Sequence, residues 1–370
     1  MRNAARTLIA AVIAGAAAIA AGRDGLAQPA CDCTHLSVLQ AELRNAQRLR
    51  AAFLGHMTTL RGMGAETARA ELQRFAGNEA RRGLEAVPGA GAQSEVDYVP
   101  YGEGVDPDRF GPNTPERNAQ LCAMRESSAA ELNRAIAGAA CAGIGEALRA
   151  HERHHVAMCG RIGYRSYLGM HGADRAQEEA EAYGAQIAVL RRAIATALEN
   201  ATVRIETEMT VTFGFPPNPM YRSIAVTDRG NVRAGRAAMD GETIRLDGDG
   251  ELLTDGTIQG NCRFSDAMPT RQPVRGTIET DGLTVQLSLA TERRRRGLGM
   301  VCSVPGAARG ISAQAPAPGN LPEDIALPLR DGAEADLASA YAIAARMTAG
   351  SGVQMSGEGK IRLRIECPMR

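Results

Sequence analysis

Apolar positions between residues 34 and 86 recur at intervals of three and four. Leu36, Leu39, Leu43 and Ala46 form one stripe, and Phe53, Met57 and Leu60 resume it. On a helix with 3.6 residues per turn this spacing gathers the apolar side chains on one face, so the segment is read as helical with a core-facing side. Residues 87–116 break the rhythm with frequent Pro, Gly and Asp, and read as a linker or as a loop over a site. Helix resumes at Thr114, where Pro115 and Glu116 suit a first turn, and is expected to reach Met158 in two pieces. A Gly- and Tyr-containing connection occupies residues 160–173. Beyond it Asp174 is read as the cap of a further helix, "RAQEEAEAYGAQIAVLRRAIATALEN".

From Ala201 the period changes to two. "TVRIETEMTVTF", "ETIRLDG", "GTIETDGLTVQLSLA" and "KIRLRIEC" alternate apolar and polar residues, as strands with one buried face do. The dipeptides Asp240-Gly241, Asp255-Gly256 and Asp281-Gly282 are read as turns between them, and the Pro-rich "AQAPAPGNLPED" as an interruption. The expected fold class is therefore α+β. An N-terminal helical domain, residues 28–200, precedes an antiparallel all-β domain, residues 201–370.

Composition adjusts this picture at the N-terminus. Arg2 and Arg6 precede an apolar run from Leu8 to Ala21, followed by Gly25 and Ala27 at the positions a signal peptidase favours. The run is short for a spanning helix, so residues 1–27 read as a secretory signal peptide. No later stretch is long and apolar enough to cross a membrane, and the expected location is periplasmic or secreted. Eight cysteines in such a chain point to disulfides rather than thiolate metal sites. Cys141 and Cys159 would be roughly 27 Å apart on one unbroken helix, too far to bridge each other unless Gly143 or Gly145 breaks it. Cys159 reads as a bridge locking a helix end. Five cysteines precede residue 200 and three follow it, so full pairing requires a bridge that crosses the boundary. A formal net charge of zero gives no field for nucleic acid. The run "ERRRRG" at 292–297 lacks the interleaved aromatic residues of a single-strand platform. "DGDGE" at 247–251 lacks the spacing of a calcium loop and is read as a turn.

The chemistry concentrates in "EALRAHERHHVAMCG", residues 146–160, which holds three of the six histidines. His151-Glu152-Arg153-His154-His155 fits H-E-x-x-H. On a helix, positions i and i+4 project one turn apart on one face, so His151 and His155 can reach one zinc ion while Glu152 meets a water rather than the metal. Ile144, Ala147 and Leu148 share the side of the two histidines, which is therefore expected to face the interior. His154 and Cys159 are not expected to be ligands. A third ligand is sought on the next helix, whose apolar face is set by Ala180, Gly184, Ile187, Leu190, Ile194 and Leu198. At about 100° per residue Glu179 lies at the edge of that face, Glu181 farther round and Glu178 opposite, so Glu179 is the expected ligand. Asp174, His171 and Glu178 are the alternatives.

H-E-x-x-H followed by a helical Glu 24 positions after the second His resembles the gluzincin branch of the zincin metallopeptidases, over roughly residues 140–200. The resemblance implies zinc held by His151, His155 and Glu179, Glu152 as general base, and a peptide or protein substrate. The metzincin branch is not matched, because Met158 and Arg161 stand where it needs Gly and His. Tyr183 stands four residues after Glu179, where the best-known gluzincins carry Asp. Tyr183, Tyr164 and Tyr167 are candidate donors to a developing oxyanion. The competing expectation is a non-enzymatic, disulfide-braced envelope or secreted protein whose helical half is structural.

Overall fold

The computed structural model describes residues 28–86, 100, 114–199, 201–214, 221–265, 269–291, 298–303, 311–315, 325–336 and 354–368. The segment read as a signal peptide, most of the 87–116 segment and the run at 292–297 lie outside them. The fold is α+β, with helices first and strands after. The chain divides into two compact units, Met1–Ala197 and Leu198–Arg370.

Seven α-helices occur among the described residues of the first unit: α1 (Leu36–Arg61), α2 (Ala65–Ala86), α3 (Pro115–Leu121), α4 (Glu126–Gly138), α5 (Ala142–Ile162), α6 (Tyr164–Leu168) and α7 (Gly172–Glu199). The stripe read from α1 is its buried face: Leu36, Leu39, Leu43, Ala46, Phe53 and Leu60 are all in the core. Thr114 caps α3, its side chain accepting from the Arg117 amide with Pro115 in the first turn. The stretch to Met158, expected in two pieces, forms three. Cys122 ends α3, and Ala139 ends α4 in an extended conformation. Asp174, expected as a cap, lies inside the first turn of α7, which begins at Gly172.

Two cysteine bridges brace this unit. Cys31 pairs with Cys141, the residue that caps α5, and Cys122 pairs with Cys159 near the end of the same helix. Cys33, Cys262 and Cys367 are disulfide-bonded as well, a usage that fits an oxidising compartment. Among the described residues no helix is long and apolar enough to cross a membrane.

Helix α7 is buried far beyond a single face. Ala176, Glu178, Ala180, Ala182, Tyr183, Gln186, Ile187, Leu190, Ala193, Ile194 and Ala197 are all enclosed, and the positions left exposed between Asp174 and Glu199 are Gln177, Glu181, Ala188, Arg192 and Thr196 at their ends and between. Glycine contacts show two of the helices responsible. A Cβ on Gly172 would sit 2.5 Å from the Ala68 carbonyl of α2, and one on Gly143 would sit 2.5 Å from Ala193 Cβ and 2.7 Å from Cys31 Sγ. Gly143, read as a possible helix breaker, instead lets α5 approach α7 inside an intact helix.

In the second unit the strands are β1 (Thr202–Gly214), β2 (Tyr221–Asp240), β3 (Thr243–Gly260), β4 (Cys262–Phe264), β5 (Thr270–Thr280), β6 (Thr284–Thr291), β7 (Leu298–Cys302), β8 (Ile311–Ala315), β9 (Ile325–Pro328), β10 (Ala333–Asp336) and β11 (Gln354–Glu366). Among the described residues, eight form an antiparallel sheet in the order β10-β11-β1-β2-β3-β5-β6-β9, and β4, β7 and β8 form a small separate sheet. Asp240-Gly241 and Asp281-Gly282 stand at turns. Asp255-Gly256 and "DGDGE" do not: both lie within β3. Their glycines suit close packing rather than reversal, since a Cβ on Gly248 or Gly250 would strike the backbone of β2, and one on Gly256 the Phe264 ring.

The edges of the large sheet, β9 and β10, are joined by residues 329–332 alone. Strands spaced about 4.8 Å apart would hold those edges about 34 Å apart in a flat sheet, whereas a four-residue link reaches about 17 Å at most. The sheet therefore curls into a barrel-like form. Its interior is filled: a Cβ on Gly276 of β5 would meet Val232 of β2, Leu289 of β6 and Ile205 of β1 at 2.8, 2.9 and 3.3 Å. Outward charges pair across strands, as in Arg229–Glu208 and Arg271–Glu251 at 3.0 Å each.

The close approach of α5 to α7 is testable. Gly143→Ala is expected to destabilise the protein by about 1–3 kcal/mol through overpacking. Gly77→Ala, on the exposed side of α2 with nothing within 4 Å, is expected to stabilise it by about 0.5–1 kcal/mol. Urea denaturation of the two variants beside the wild type measures both signs.

Candidate metal centre

Helices α5 and α7 run antiparallel. Gly143 meets Ala193, His151 meets Tyr183 and His155 meets Glu178, so rising numbers on one helix match falling numbers on the other. The short α6 between them provides the reversal. This pairing brings a side chain from α7 to the two histidines one turn apart on α5. Glu179 Oε2 lies 3.7 Å from Nε2 of His151 and 3.7 Å from Nε2 of His155.

His151, His155 and Glu179 offer three ligand atoms within 4.8 Å of one another, a group that could hold a metal ion. Bonds of about 2.0–2.2 Å in a tetrahedral arrangement place ligand atoms about 3.4 Å apart, so both Glu179 separations need close by only a few tenths of an ångström. The cluster opens on one side: the Glu179 side chain is 28% exposed, while that of His155 is 3% exposed.

The remaining candidates fall elsewhere. His171 uses both ring nitrogens, Nε2 with the Met63 carbonyl at 3.0 Å and Nδ1 as acceptor from the Ala173 amide at 3.1 Å. Asp174 is exposed. His154 is half-buried and lies 3.6 Å from Glu181 on the outer side. Tyr164 belongs to a core cluster with Leu121, Cys122, Cys159 and Tyr167. Tyr183 is the tyrosine beside the histidines, edge-on to His151 with ring centroids 4.5 Å apart and stacked on Phe53 behind. Glu152 is buried on α5, close enough to His155 to influence its protonation.

Glu178 is the residue that helix geometry alone misplaces. Its angle puts it opposite the apolar face, yet it is 1% exposed and accepts a 2.5 Å hydrogen bond from His155 Nδ1. The cause is tertiary: α6 covers this end of α7, with the Tyr167 hydroxyl donating to Glu178 Oε1 at 3.4 Å. Arg175 donates to Oε2 at 3.3 Å and stacks 3.8 Å over the Tyr167 ring. No local pattern in the sequence announces that cover.

Burial and environment divide the two histidines. Burial pushes the His151 pKa well below its ordinary value, helped by the neighbouring His155 and His154, with a hydrogen bond donated to Gln186 pulling the other way. Burial also works against charge on His155, but Glu179, Glu178 and Glu152 outweigh it and raise the pKa to about 9. Burial opposes ionisation of Glu178, yet its bond to His155 and the charges of His155 and Arg175 hold its pKa below the usual carboxylate value.

Comparison with family models, with curated proteins and with solved structures found no match to this chain.

A cation entering this cluster must displace the proton on His155. In the metal-free protein at pH 7 that proton is present, because the folded pKa is about 9, whereas His151 is already neutral. Affinity is therefore expected to rise with pH up to about 9 and then level off. About one proton should be released per ion at pH 7 and close to none above pH 9, as read by calorimetric titration in buffers of different ionisation enthalpy. The same raised pKa stabilises the metal-free fold below about 6.5, a contribution lost as the pH climbs through about 9.

Proposed function

We propose that the protein is an exported zinc-dependent hydrolase, most simply a metallopeptidase of gluzincin type acting on peptide or protein substrates in the periplasm or outside the cell. The observation that carries this reading is the meeting of Glu179 with the two imidazoles of H-E-x-x-H, at equal distances and on the partly open side of the cluster. Two nitrogens and one carboxylate oxygen suit zinc, and three protein ligands leave a fourth position, as catalytic rather than structural sites do.

His151, His155 and Glu179 would hold the ion. Zinc in such a site lowers the pKa of a water to about 7 and polarises a carbonyl oxygen. The chain's own contribution is proton management. Glu152 takes the proton as the water oxygen bonds to the amide carbon, and returns it to the nitrogen as the C–N bond breaks. Glu152 is buried on α5, close enough to His155 for its charge to favour the protonated ring. Tyr183 packs edge-on against His151, on the α7 side of the cluster.

A second reading rests on the ion pairs themselves. Charged His155 between Glu178 and Glu179 satisfies the cluster without a metal, as a structural centre of a non-enzymatic, disulfide-braced exported protein would.

Metal analysis separates the two. Mature protein purified without chelator and offered zinc is expected to carry about one ion per chain, and His151→Ala with His155→Ala to carry none. Wild-type protein without zinc would leave the structural reading in place. Glu152→Gln is expected to keep metal and fold while lowering hydrolysis by about 10²–10⁴-fold, measured against a peptide library the wild type cleaves. Undiminished cleavage by this variant would move the general base to another residue.

A further inference from the structure

The residue next to the third ligand has a separate task. Glu178 and Glu179 are adjacent on α7 but turn to opposite nitrogens of the same imidazole. Glu179 Oε2 is 3.7 Å from Nε2 of His155, and Glu178 Oε1 is 2.5 Å from Nδ1. We propose that Glu178, held by Tyr167 and Arg175, is the positioning residue of the metal centre: it fixes the ring of His155 so that Nε2 presents its lone pair to the ion. The proposal rests on the reading of His151, His155 and Glu179 as ligands.

Three observations carry it. The bond is charge-assisted in kind and fully enclosed, with side-chain exposures of 3% and 0% for His155 and Glu178. An Nδ1–H donated to a carboxylate leaves Nε2 as the ring nitrogen able to bind a cation, and it sets the ring orientation at the same time. The carboxylate is itself constrained at both oxygens, Oε1 by the Tyr167 hydroxyl and Oε2 by Arg175, so it cannot swing away from the ring without breaking buried contacts. Tyr167 stands on α6 within the cluster formed by Leu121, Cys122, Cys159 and Tyr164, so the Cys122–Cys159 bridge anchors the chain of contacts that ends at His155.

The test is metal binding by the full mature chain, with zinc competed against a chromogenic chelator and cobalt used as a spectroscopic probe. Loss of an orienting partner typically weakens metal affinity by about 10–100-fold. Glu178→Gln, nearly isosteric, is expected to weaken zinc binding by about 10-fold and Glu178→Ala by up to about 100-fold. The visible cobalt bands of both variants should shift as the ring loses its fixed orientation. A purely structural role would lower the melting temperature yet leave the cobalt spectrum and the zinc affinity of the folded protein unchanged, and that result overturns the proposal. If Glu178→Ala does not fold, Glu178→Gln decides alone by the same two readings. A wild-type protein that binds neither metal overturns the metal centre and this proposal together, whereas normal wild-type binding with unaltered variants overturns the proposal alone.

Discussion

An imidazole enclosed between two carboxylates is the constraint from which the helical unit follows. Charges removed from water must meet partners of opposite sign, since an unpaired buried charge costs several kcal/mol. His155 meets Glu178 at one nitrogen and Glu179 at the other, and both carboxylates come from successive residues of α7. For both to reach one ring, α5 and α7 must lie antiparallel at a fixed register. Gly143 permits the closeness of that packing at one end, and α6 with the Cys122–Cys159 bridge fixes the reversal at the other. The same arrangement leaves Glu179 partly exposed and Glu178 sealed, which is how two identical neighbouring side chains come to differ in chemistry.

Periodicity in the sequence carried the elements well. The apolar stripe of α1 and the alternation from Thr202 onward report directly which side of an element is buried, because that side is set by local geometry. The placement of Glu179 at the edge of an apolar face was legible for the same reason. Glu178 was not legible. Its burial depends on α6 folding over α7, a contact between Tyr167 and residues eleven positions away that no helical wheel contains. The glycines of β3, expected at turns, lie within a strand instead. Glycine marks a turn in isolation, but here it marks places where another backbone or side chain passes too closely for a Cβ. Glu178 is the harder to place because α7 is enclosed around most of its circumference rather than along one face.

The two histidines also show why H-E-x-x-H alone underdetermines a site. Both belong to one helix and one motif, yet burial among positive neighbours drives one toward the neutral form while flanking carboxylates drive the other toward the charged form. A motif fixes positions along a helix. The protonation that those positions take is decided by what the rest of the chain brings against them.

In the second unit, the pairing of β1 with β11 joins Thr202 to Glu366, placing the first strand of the sheet beside the last. The middle strands can pair with sequence neighbours as they appear, but the wall holding β1 stays open until the final thirteen-residue strand arrives. Closure thus waits on a contact of long sequence separation, which is slow to form. A chain cut short before Gln354 would leave β1 and β10 each with an unpaired edge, the kind of surface on which extended segments of other chains assemble.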